Sequence, residues 1–215
     1  IVAIDDGSDD NSLIYLKKNQ FNFKVKIIEN KNNLGQSYSI YRGIKEAKYN
    51  NIVTIDADLQ NNPKDIEKLT KIYFNDDYSL VGGLRKYRKD NIVKKISSKI
   101  ANYVRRLILK DNCKDTGCSL KIFSKKIFLK FPYFDGIHRF LPALYAGYGY
   151  STFFTSVDHR SRIYGNSKYG TIKRLFKGLY DIYRVYKIYQ EEMLRLNCVD
   201  FGDLIIYCLK IFKDN

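Results

Sequence analysis

Two aspartates spaced two residues apart carry the strongest chemical signal in the sequence. Asp56 and Asp58 belong to the segment Asp56-Ala57-Asp58-Leu59-Gln60, which places the side-chain amide of Gln60 close to both carboxylates. Carboxylate and amide oxygens are hard ligands that suit Mg²⁺ or Mn²⁺, and such sites leave positions for water and substrate phosphates. Without a cation, two neighbouring carboxylates repel each other and one takes up a proton. The segment predicts a divalent-metal site.

A second acidic pair, Asp5 and Asp6, follows the apolar run 1–4, as Asp56 and Asp58 follow the run 51–55. Either pair alone is a weak signal, because aspartates often cap helices or form turns. Two pairs that both follow predicted strands are a stronger signal. Since strand ends meet at one edge of a parallel sheet, the two pairs are expected to face a common crevice.

The elements that must position these residues are predicted from hydrophobic periodicity. Strands are predicted at 1–4, 25–29, 51–55, 78–84 and 150–160. Three helices are predicted between the first four strands: one that follows the first strand and ends near residue 20, one over about 35–48, and one from Pro63 to about residue 74. Strands that alternate with helices indicate an α/β fold with a mostly parallel sheet. Ligands of such folds bind beyond the carboxyl ends of the strands.

Several blocks of the sequence resemble family 2 glycosyltransferases with the GT-A fold. IDDGSDDNS, NLGQSYSIYRGIKEA, IVTIDADLQNNP and VGGLR, in this order, are similar to the nucleotide-binding half of that family. DTGCSLKIFSKKIF, HRFLPAL and HRSRIYGNSKYG are similar to its polyprenyl-phosphate branch, the dolichol-phosphate mannosyltransferase-like enzymes. The resemblance covers about residues 1–185. It implies a Rossmann-like sheet flanked by helices, without the family's first strand, so that the chain is expected to be truncated at its N-terminus.

The resemblance also implies donor-binding roles for matching residues. Asp5 and Asp6 would contact the nucleoside of a nucleotide sugar. Asp56 and Asp58 would hold its diphosphate through the metal ion, and Gln60 would complete the metal coordination. The sugar and the nucleotide, GDP or UDP, stay open.

Further matching residues are expected to bind phosphate or to act on the acceptor. Arg85 would meet donor or acceptor phosphate, and Asp115 in DTGCSL matches the family's candidate base. Arg162, Ser167 and Lys168 would lie on a loop that closes over phosphates. Arginine suits these roles because its planar fork binds phosphate oxygens in pairs.

Other readings of these residues stay open. Asp115 can also cap a turn, and Lys168 can be a solvated surface residue. His138 and His159 lack the spacing of metal ligands; His159 is expected to be structural, whereas Arg139, beside His138, is expected to touch acceptor phosphate.

The activity implied is an inverting transfer of a sugar to a polyprenyl phosphate, dependent on Mg²⁺ or Mn²⁺, at the cytoplasmic face of the cell membrane. A phosphate acceptor is already anionic near neutral pH, since its second pKa is about 6. Asp115 could then orient a partner rather than take a proton. The alternative acceptor, a cell-envelope glycan, would offer a hydroxyl group and need Asp115 as a base.

The net charge of +15 fits three kinds of partner: nucleic acid, an anionic membrane surface or phosphorylated small molecules, although compositional bias would also produce it. The segment 92–110 has six basic residues, no acidic one and apolar residues at helical spacing, which is typical of a membrane-surface helix or of a packed helix with a basic face. No nucleic-acid motif is present, and no nucleic acid is expected as a partner. A basic nucleic-acid-binding fragment remains the alternative from another class.

Two further features concern compartment and domain organisation. The four cysteines lack paired C-x-x-C spacing and are expected to be reduced thiols, and no apolar run is long enough to span a bilayer. We expect a glycosyltransferase domain at 1–170 and an amphipathic helical tail at 171–215, peripheral to the membrane. The last thirty or so residues resemble a short segment of UvrD-type helicases and are either foreign to the domain or a helical hairpin that is similar by chance.

Overall fold

A computed structural model of the protein describes residues 1–86 and 112–160, together with single helical positions between 180 and 195. The predicted basic helix 92–110 lies outside the described residues, and so do Arg162, Ser167 and Lys168. The chain divides into two compact units, Ile1–Ser167 and Lys168–Asn215. The domain boundary near residue 170 and the foreign origin of the tail stay predictions.

Strands and helices alternate through the first unit. They are β1 (Val2–Asp5), α1 (Ser12–Lys18), β2 (Lys26–Glu29), α2 (Gln36–Glu46), β3 (Asn51–Thr54), α3 (Asp65–Asn75), β4 (Leu80–Arg85), β5 (Lys121–Ser124), α4 (Lys125–Phe128), α5 (Ile137–Gly147) and β6 (Thr152–Val157). Each strand predicted from the sequence is present with ends that differ by a few residues. The sequence pattern does not predict β5, α4 or α5.

The strands form two sheets. β1 and β2 pair in parallel, and a four-stranded sheet has the order β3-β5-β4-β6. β4 and β6 are parallel, whereas β5 runs antiparallel to both β3 and β4. The described sheet is therefore mixed where the pattern predicts mostly parallel pairing. The difference arises from β5, whose four residues are all buried and so show no alternation of polar and apolar side chains.

The reversed direction of β5 determines what lies at the edge of the sheet. Its first residue, Lys121, is opposite Thr54 at the end of β3 and opposite Gly82 in β4. Because β5 separates them, β3 and β4 are two strand spacings apart, about 9–10 Å. The segment 115–120 consequently enters the sheet between the two strand ends that carry the predicted site residues.

One buried cluster fixes the strands of this sheet against α3. Leu69 and Tyr73 of α3 belong to it, together with Val81 of β4, Ile122 of β5 and Val157 of β6. Full burial of an aliphatic side chain of this size contributes about 1.5–3 kcal/mol. Since the cluster takes a residue from each of three strands, it holds the strand ends in a fixed arrangement.

Aromatic side chains cover the opposite face of the sheet. Phe123 follows Ile122 in β5 and so points to the other face. Its ring lies 5.7 Å from that of Phe128 in α4 and 6.3 Å from that of Tyr145 in α5. The Tyr145 hydroxyl donates to the Ser124 carbonyl oxygen at 2.9 Å. Helices therefore pack on both faces, as in other layered α/β domains.

The second unit is described at a few positions, all of them helical. Lys187 and Glu191 form an exposed i,i+4 ion pair at 3.7 Å, and the Gln190 amide donates to the Tyr186 hydroxyl at 3.1 Å. Across the described part of the chain, no helix combines the length and the apolar character that crossing a membrane requires.

Candidate active site

The turn 56–60 follows β3 and holds both aspartates of the predicted metal site. Leu59 adopts a left-handed conformation with φ of 61°, and the Gln60 backbone N–H donates to the Asp58 carboxylate at 3.2 Å. A left-handed conformation costs a residue with a side chain about 1–2 kcal/mol. The hydrogen bond to Asp58 helps to hold this turn, and the turn keeps Asp56, Asp58 and Gln60 together.

The electrostatics of Asp56 indicate a site that favours a cation. Burial and then the neighbouring charge of Asp58 raise the pKa of Asp56 above its ordinary value. A side-chain hydrogen bond from Ser119, the charge of Lys121 and a 2.9 Å hydrogen bond from the Gln36 amide act in the opposite direction. A divalent cation between the two carboxylates would remove their repulsion.

The donor set of this turn fits Mg²⁺ or Mn²⁺. Asp56 and Asp58 supply carboxylate oxygens, and the Gln60 amide oxygen has the same hard character. Over residues 1–86 and 112–160, no three acidic, histidine or cysteine side chains converge on one point. The described residues thus offer few charged ligands, and water and a diphosphate are expected to complete the coordination.

Hydrogen bonds tie this turn to the end of the β6 segment. The Gln60 side-chain N–H donates to the Arg160 carbonyl at 3.3 Å, and the Arg160 backbone N–H donates to the Gln60 carbonyl at 2.8 Å. Asn61 and His159 form an antiparallel bridge beside them. His159, which the sequence predicts to be structural, therefore lies next to the turn, directly before the predicted phosphate loop.

Asp5 lies at the end of β1, where it is buried and bonded locally. Its carboxylate accepts hydrogen bonds from the Ser8 backbone N–H at 3.1 Å and from the Ser8 hydroxyl at 2.6 Å. Between them, Gly7 has φ of 66°, and a Cβ there would lie 2.6 Å from the Asn32 carbonyl carbon. Asp5 shapes this turn, and its contact with a nucleoside stays a prediction.

Asp6 connects β1 to the start of α2. Its carboxylate accepts from the Leu34 N–H at 3.0 Å, the Gly35 N–H at 2.9 Å and the Asn30 amide at 2.8 Å. Partial burial raises the pKa of Asp6, but hydrogen bonds from these groups and from Ser39 outweigh that effect and lower it overall. An ionised Asp6 is also favoured by the partial positive charge at a helix N-terminus.

Arg85 and Asp115, predicted separately as a phosphate ligand and a base, form one ion pair. Arg85 Nε donates to Asp115 Oδ2 at 2.7 Å and Nη2 donates to Oδ1 at 2.6 Å. The side chains are 17% and 11% exposed. Because both carboxylate oxygens are bound to the guanidinium, the geometry favours the reading in which Asp115 orients a partner over the reading in which it takes a proton.

Arg139 lies in the first turn of α5, and its backbone N–H donates to the Gly136 carbonyl at 2.8 Å. The preceding residue, His138, has Nδ1 2.8 Å from the hydroxyl of Ser37 at the start of α2. That hydroxyl also accepts from the Gly136 N–H at 2.7 Å. The start of α5 is therefore held against the start of α2, while contact of Arg139 with an acceptor phosphate stays a prediction.

The start of α2 connects the described parts of the site. Asp6 binds the N–H groups of Leu34 and Gly35 directly before the helix, Gln36 reaches Asp56, and Ser37 binds His138. The turn 56–60 and the Arg85–Asp115 pair lie at the ends of β3 and β4, on either side of the segment 115–120. Asp56, Asp58, Gln60, Arg85 and Asp115 thus gather at one edge of the four-stranded sheet, and hydrogen bonds through the loop before α2 and the first residue of α2 connect this edge to Asp6.

Three residues of this site were not assigned a role by the sequence pattern. Gln36 and Ser119 contact Asp56, and Lys121 is buried in β5 with 4% exposure. The Lys121 ammonium donates to the Cys118 carbonyl, and burial lowers its pKa. Gln36 lies in NLGQS and Ser119 in DTGCSL, two blocks that resemble family 2 glycosyltransferases, so the resemblance could have pointed to both residues. A lysine inside a strand ordinarily indicates an exposed position.

The two described cysteines, Cys113 and Cys118, are buried, and the reduced state of the cysteines stays a prediction.

Curated relatives are similar to this chain over most of its length. The chain is 36% identical over 190 residues to a dodecaprenyl-phosphate galacturonate synthase of Rhizobium johnstonii, covering 86% of this chain and 56% of the relative. It is 31% identical over 184 residues to an undecaprenyl-phosphate 4-deoxy-4-formamido-L-arabinose transferase of Yersinia pestis, covering 85% and 56%. The chain thus spans a little over half the length of these relatives.

Solved structures and a family model show the fold and the family. Glucosyl-3-phosphoglycerate synthase of Mycobacterium tuberculosis, solved with Mn²⁺, UDP-glucose and glycerol 3-phosphate, superposes with a TM-score of 0.56 at 15% identity, covering 94% of this chain and 70% of that chain. This likeness confirms the predicted GT-A fold. The model of glycosyl transferase family 2 matches residues 1–131. The protein therefore belongs to glycosyl transferase family 2.

Proposed function

We propose that the protein transfers a sugar, with inversion, from a nucleotide sugar to a polyprenyl phosphate. The observation that carries the proposal is the placement of the Asp56–Asp58 turn and the Arg85–Asp115 pair at the ends of β3 and β4, the two strands that flank β5 in one sheet. The curated relatives, whose names specify polyprenyl-phosphate acceptors, support the choice of acceptor.

The turn 56–60 is proposed to bind the donor through a divalent cation, Mg²⁺ or Mn²⁺. Asp56, Asp58 and the Gln60 amide would hold the ion, which, when bound, stabilises negative charge on the leaving nucleoside diphosphate. Because the turn supplies only two carboxylates, we expect tight metal binding only together with UDP or GDP. Asp5 and Asp6 are proposed to border the nucleoside, with Asp6 anchoring the loop that precedes α2.

Arg85 is proposed to bind phosphate at the reaction centre. Asp115 holds its guanidinium by two hydrogen bonds. A guanidinium that is already oriented needs little rearrangement, and so costs little free energy, when negative charge develops on the phosphate in the transition state. A phosphate acceptor needs no base at neutral pH, because it is already ionised. A carboxylate engaged as Asp115 is therefore suited to a phosphate acceptor.

The reaction is proposed to take place at the cytoplasmic face of the membrane, with this part of the protein peripheral to it. The net charge of +15 favours contact with anionic lipid headgroups. Arg139, Arg162, Ser167 and Lys168 are proposed to bind the acceptor phosphate.

The test is transfer of label from a nucleotide sugar into lipid. The protein is incubated with a panel of radiolabelled UDP- and GDP-sugars, vesicles that contain undecaprenyl phosphate, and Mn²⁺ or Mg²⁺. We expect the label to partition into the organic phase with one donor, and to stay in water when EDTA is added. Label in a water-soluble glycan would instead indicate the glycan acceptor, and absence of lipid product with every donor would overturn the proposal.

A matched pair of variants tests the metal site. Asp58→Ala removes one carboxylate of the turn and should abolish metal-dependent binding of UDP or GDP in calorimetric titration. Asp76→Ala removes the same charge from an exposed position after α3 and should leave that binding unchanged. Unchanged binding in Asp58→Ala would contradict the assignment.

A further inference from the structure

Ser119 lies where the incoming segment of β5 meets the acidic turn, and it is bonded on two sides. Its carbonyl oxygen accepts from the Thr54 hydroxyl at 2.7 Å, which fixes its backbone against the end of β3. Its hydroxyl accepts from the Asp56 backbone N–H at 3.2 Å and from the Asn61 side-chain amide at 2.8 Å. The Ser119 side chain thus binds both the first residue of the turn 56–60 and Asn61, which directly follows the turn.

The hydroxyl group of Ser119 also has a proton to donate. A serine hydroxyl has one donor and two acceptor positions, and the N–H groups of Asp56 and Asn61 use the two acceptor positions. Burial raises the pKa of the Asp56 carboxylate, and the nearby Ser119 hydroxyl acts in the opposite direction. Ser119 therefore binds the backbone of Asp56 and favours the ionised form of its carboxylate.

We propose that Ser119 is a positioning residue for the divalent cation: its hydroxyl orients Asp56 by accepting from the Asp56 backbone N–H at the start of the turn 56–60 and from the Asn61 side-chain amide directly after it. This inference rests on the proposed function, because it needs Asp56 to be a metal ligand. Ser119 acts through Asp56, as hydrogen-bonding partners of metal-ligating carboxylates commonly do.

The physical need for such a residue comes from the turn itself. Without the ion, Asp56 and Asp58 repel each other, and Leu59, directly after Asp58, has a left-handed backbone. Both effects favour a looser turn in which the carboxylates separate. A hydroxyl that binds both ends of the turn opposes that separation, so its loss should weaken metal binding more than it weakens the fold.

The test compares Mn²⁺ affinity among variants by electron paramagnetic resonance, with UDP or GDP present. Mutation of a residue that hydrogen-bonds to a metal ligand typically lowers metal affinity about 10–100-fold. Ser119→Ala should therefore bind Mn²⁺ at least about tenfold more weakly than the wild type. Ser119→Thr keeps the hydroxyl and should recover most of this affinity.

Ser124→Ala is the matched control: Ser124 is the last residue of β5, the strand that Ser119 precedes. The Ser124 hydroxyl is buried, donates to Asn50 Oδ1 at 3.3 Å and accepts from the Ile127 N–H at 3.4 Å, at the end of β5 remote from the acidic turn. Its loss removes a similar number of hydrogen bonds. Ser124→Ala should lower the midpoint of thermal unfolding in EDTA as much as Ser119→Ala does, yet bind Mn²⁺ like the wild type.

The outcomes separate this inference from the proposed function. Absence of nucleotide-dependent Mn²⁺ binding in the wild type would reject the metal site itself. If the wild type binds Mn²⁺ and Ser119→Ala binds it with the same affinity, the proposed role of Ser119 is overturned. A loss of Mn²⁺ affinity in Ser124→Ala equal to that in Ser119→Ala would overturn it as well. If Ser119→Ala does not fold, the nearly isosteric Ser119→Cys replaces it, and unchanged affinity in that variant would overturn the role as well.

Discussion

The carboxylate of Asp115 accepts two hydrogen bonds, of 2.6 and 2.7 Å, from the guanidinium of Arg85, although the two residues are thirty positions apart in the chain. The Arg85 backbone N–H also points to the same carboxylate, at 3.3 Å. A bidentate pair of this kind fixes the plane of the guanidinium as well as its distance. Arg85 is thereby held ready at the end of β4.

Breaking this pair should cost stability as well as activity. Asp115→Asn removes the carboxylate charge that faces a largely buried guanidinium, and we expect the free energy of unfolding in urea to fall by about 3 kcal/mol. The double variant Arg85→Met/Asp115→Asn should recover part of that loss. If the two residues act as one unit, both single variants and the double variant should lose transfer activity by a similar factor. Losses that multiply in the double variant would contradict this role.

Space beside the pair is provided by Gly117. A Cβ at this position would lie 2.7 Å from Arg85 Nη2 and 3.5 Å from Asp115 Oδ1. Gly117→Ala should displace the guanidinium and lower kcat roughly 10- to 100-fold, because small misplacements of a charged donor are costly. Gly147→Ala at the end of α5, where a Cβ meets nothing within 4 Å, should leave kcat unchanged. Equal activity in both variants would contradict the proposed role of the pair.

Asp56 should destabilise the metal-free protein near neutral pH. Its pKa is raised in the fold above the ordinary 3.8, so the fold disfavours the ionised carboxylate, and stability falls as the pH rises from 3.8 through the raised pKa. Asp56→Asn should therefore raise the midpoint of thermal unfolding in EDTA by about 2–4 °C. Mn²⁺ with UDP or GDP should then stabilise the wild type but not the variant. A lower midpoint for the variant in EDTA would contradict the prediction.

Asp6 should show the opposite dependence on pH. Its pKa is lowered from the ordinary 3.8, so its contribution to stability is fully present above 3.8 and is lost as the pH falls through the lowered value. The free energy of unfolding, measured in urea from about pH 6 to about pH 3, should therefore decrease more steeply for the wild type than for Asp6→Asn. Parallel curves would show that the Asp6 hydrogen bonds do not depend on its charge.

The sequence predicts the strands and helices of residues 1–86 because their signals are local. Apolar runs that end at Asp5 and near Asp56, and the proline at position 63, mark element boundaries without knowledge of the rest of the fold. The same local signals place both acidic pairs at strand ends. β5 lacks such a signal, because a short strand that is buried on both faces shows no alternation and begins with a lysine.

The individual site residues are predictable, but their partnerships are not. Arg85 and Asp115 were each expected to act on a ligand, and only the insertion of β5 beside β4 shows that they bind each other. Gln36 and Ser119 contact Asp56 through pairings that are far apart in sequence. Such contacts depend on tertiary packing, which single residues and their spacing do not encode.

The central position of β5 has a consequence for how the chain acquires its fold. β1 and β2 are close in sequence and can pair as soon as both have left the ribosome. β3 and β4 must wait for a strand made much later, and contacts between distant segments form slowly because a long loop has to close first. The acidic turn and Arg85 therefore come into alignment late during synthesis, so a nascent chain that ends before residue 121 would hold neither in place.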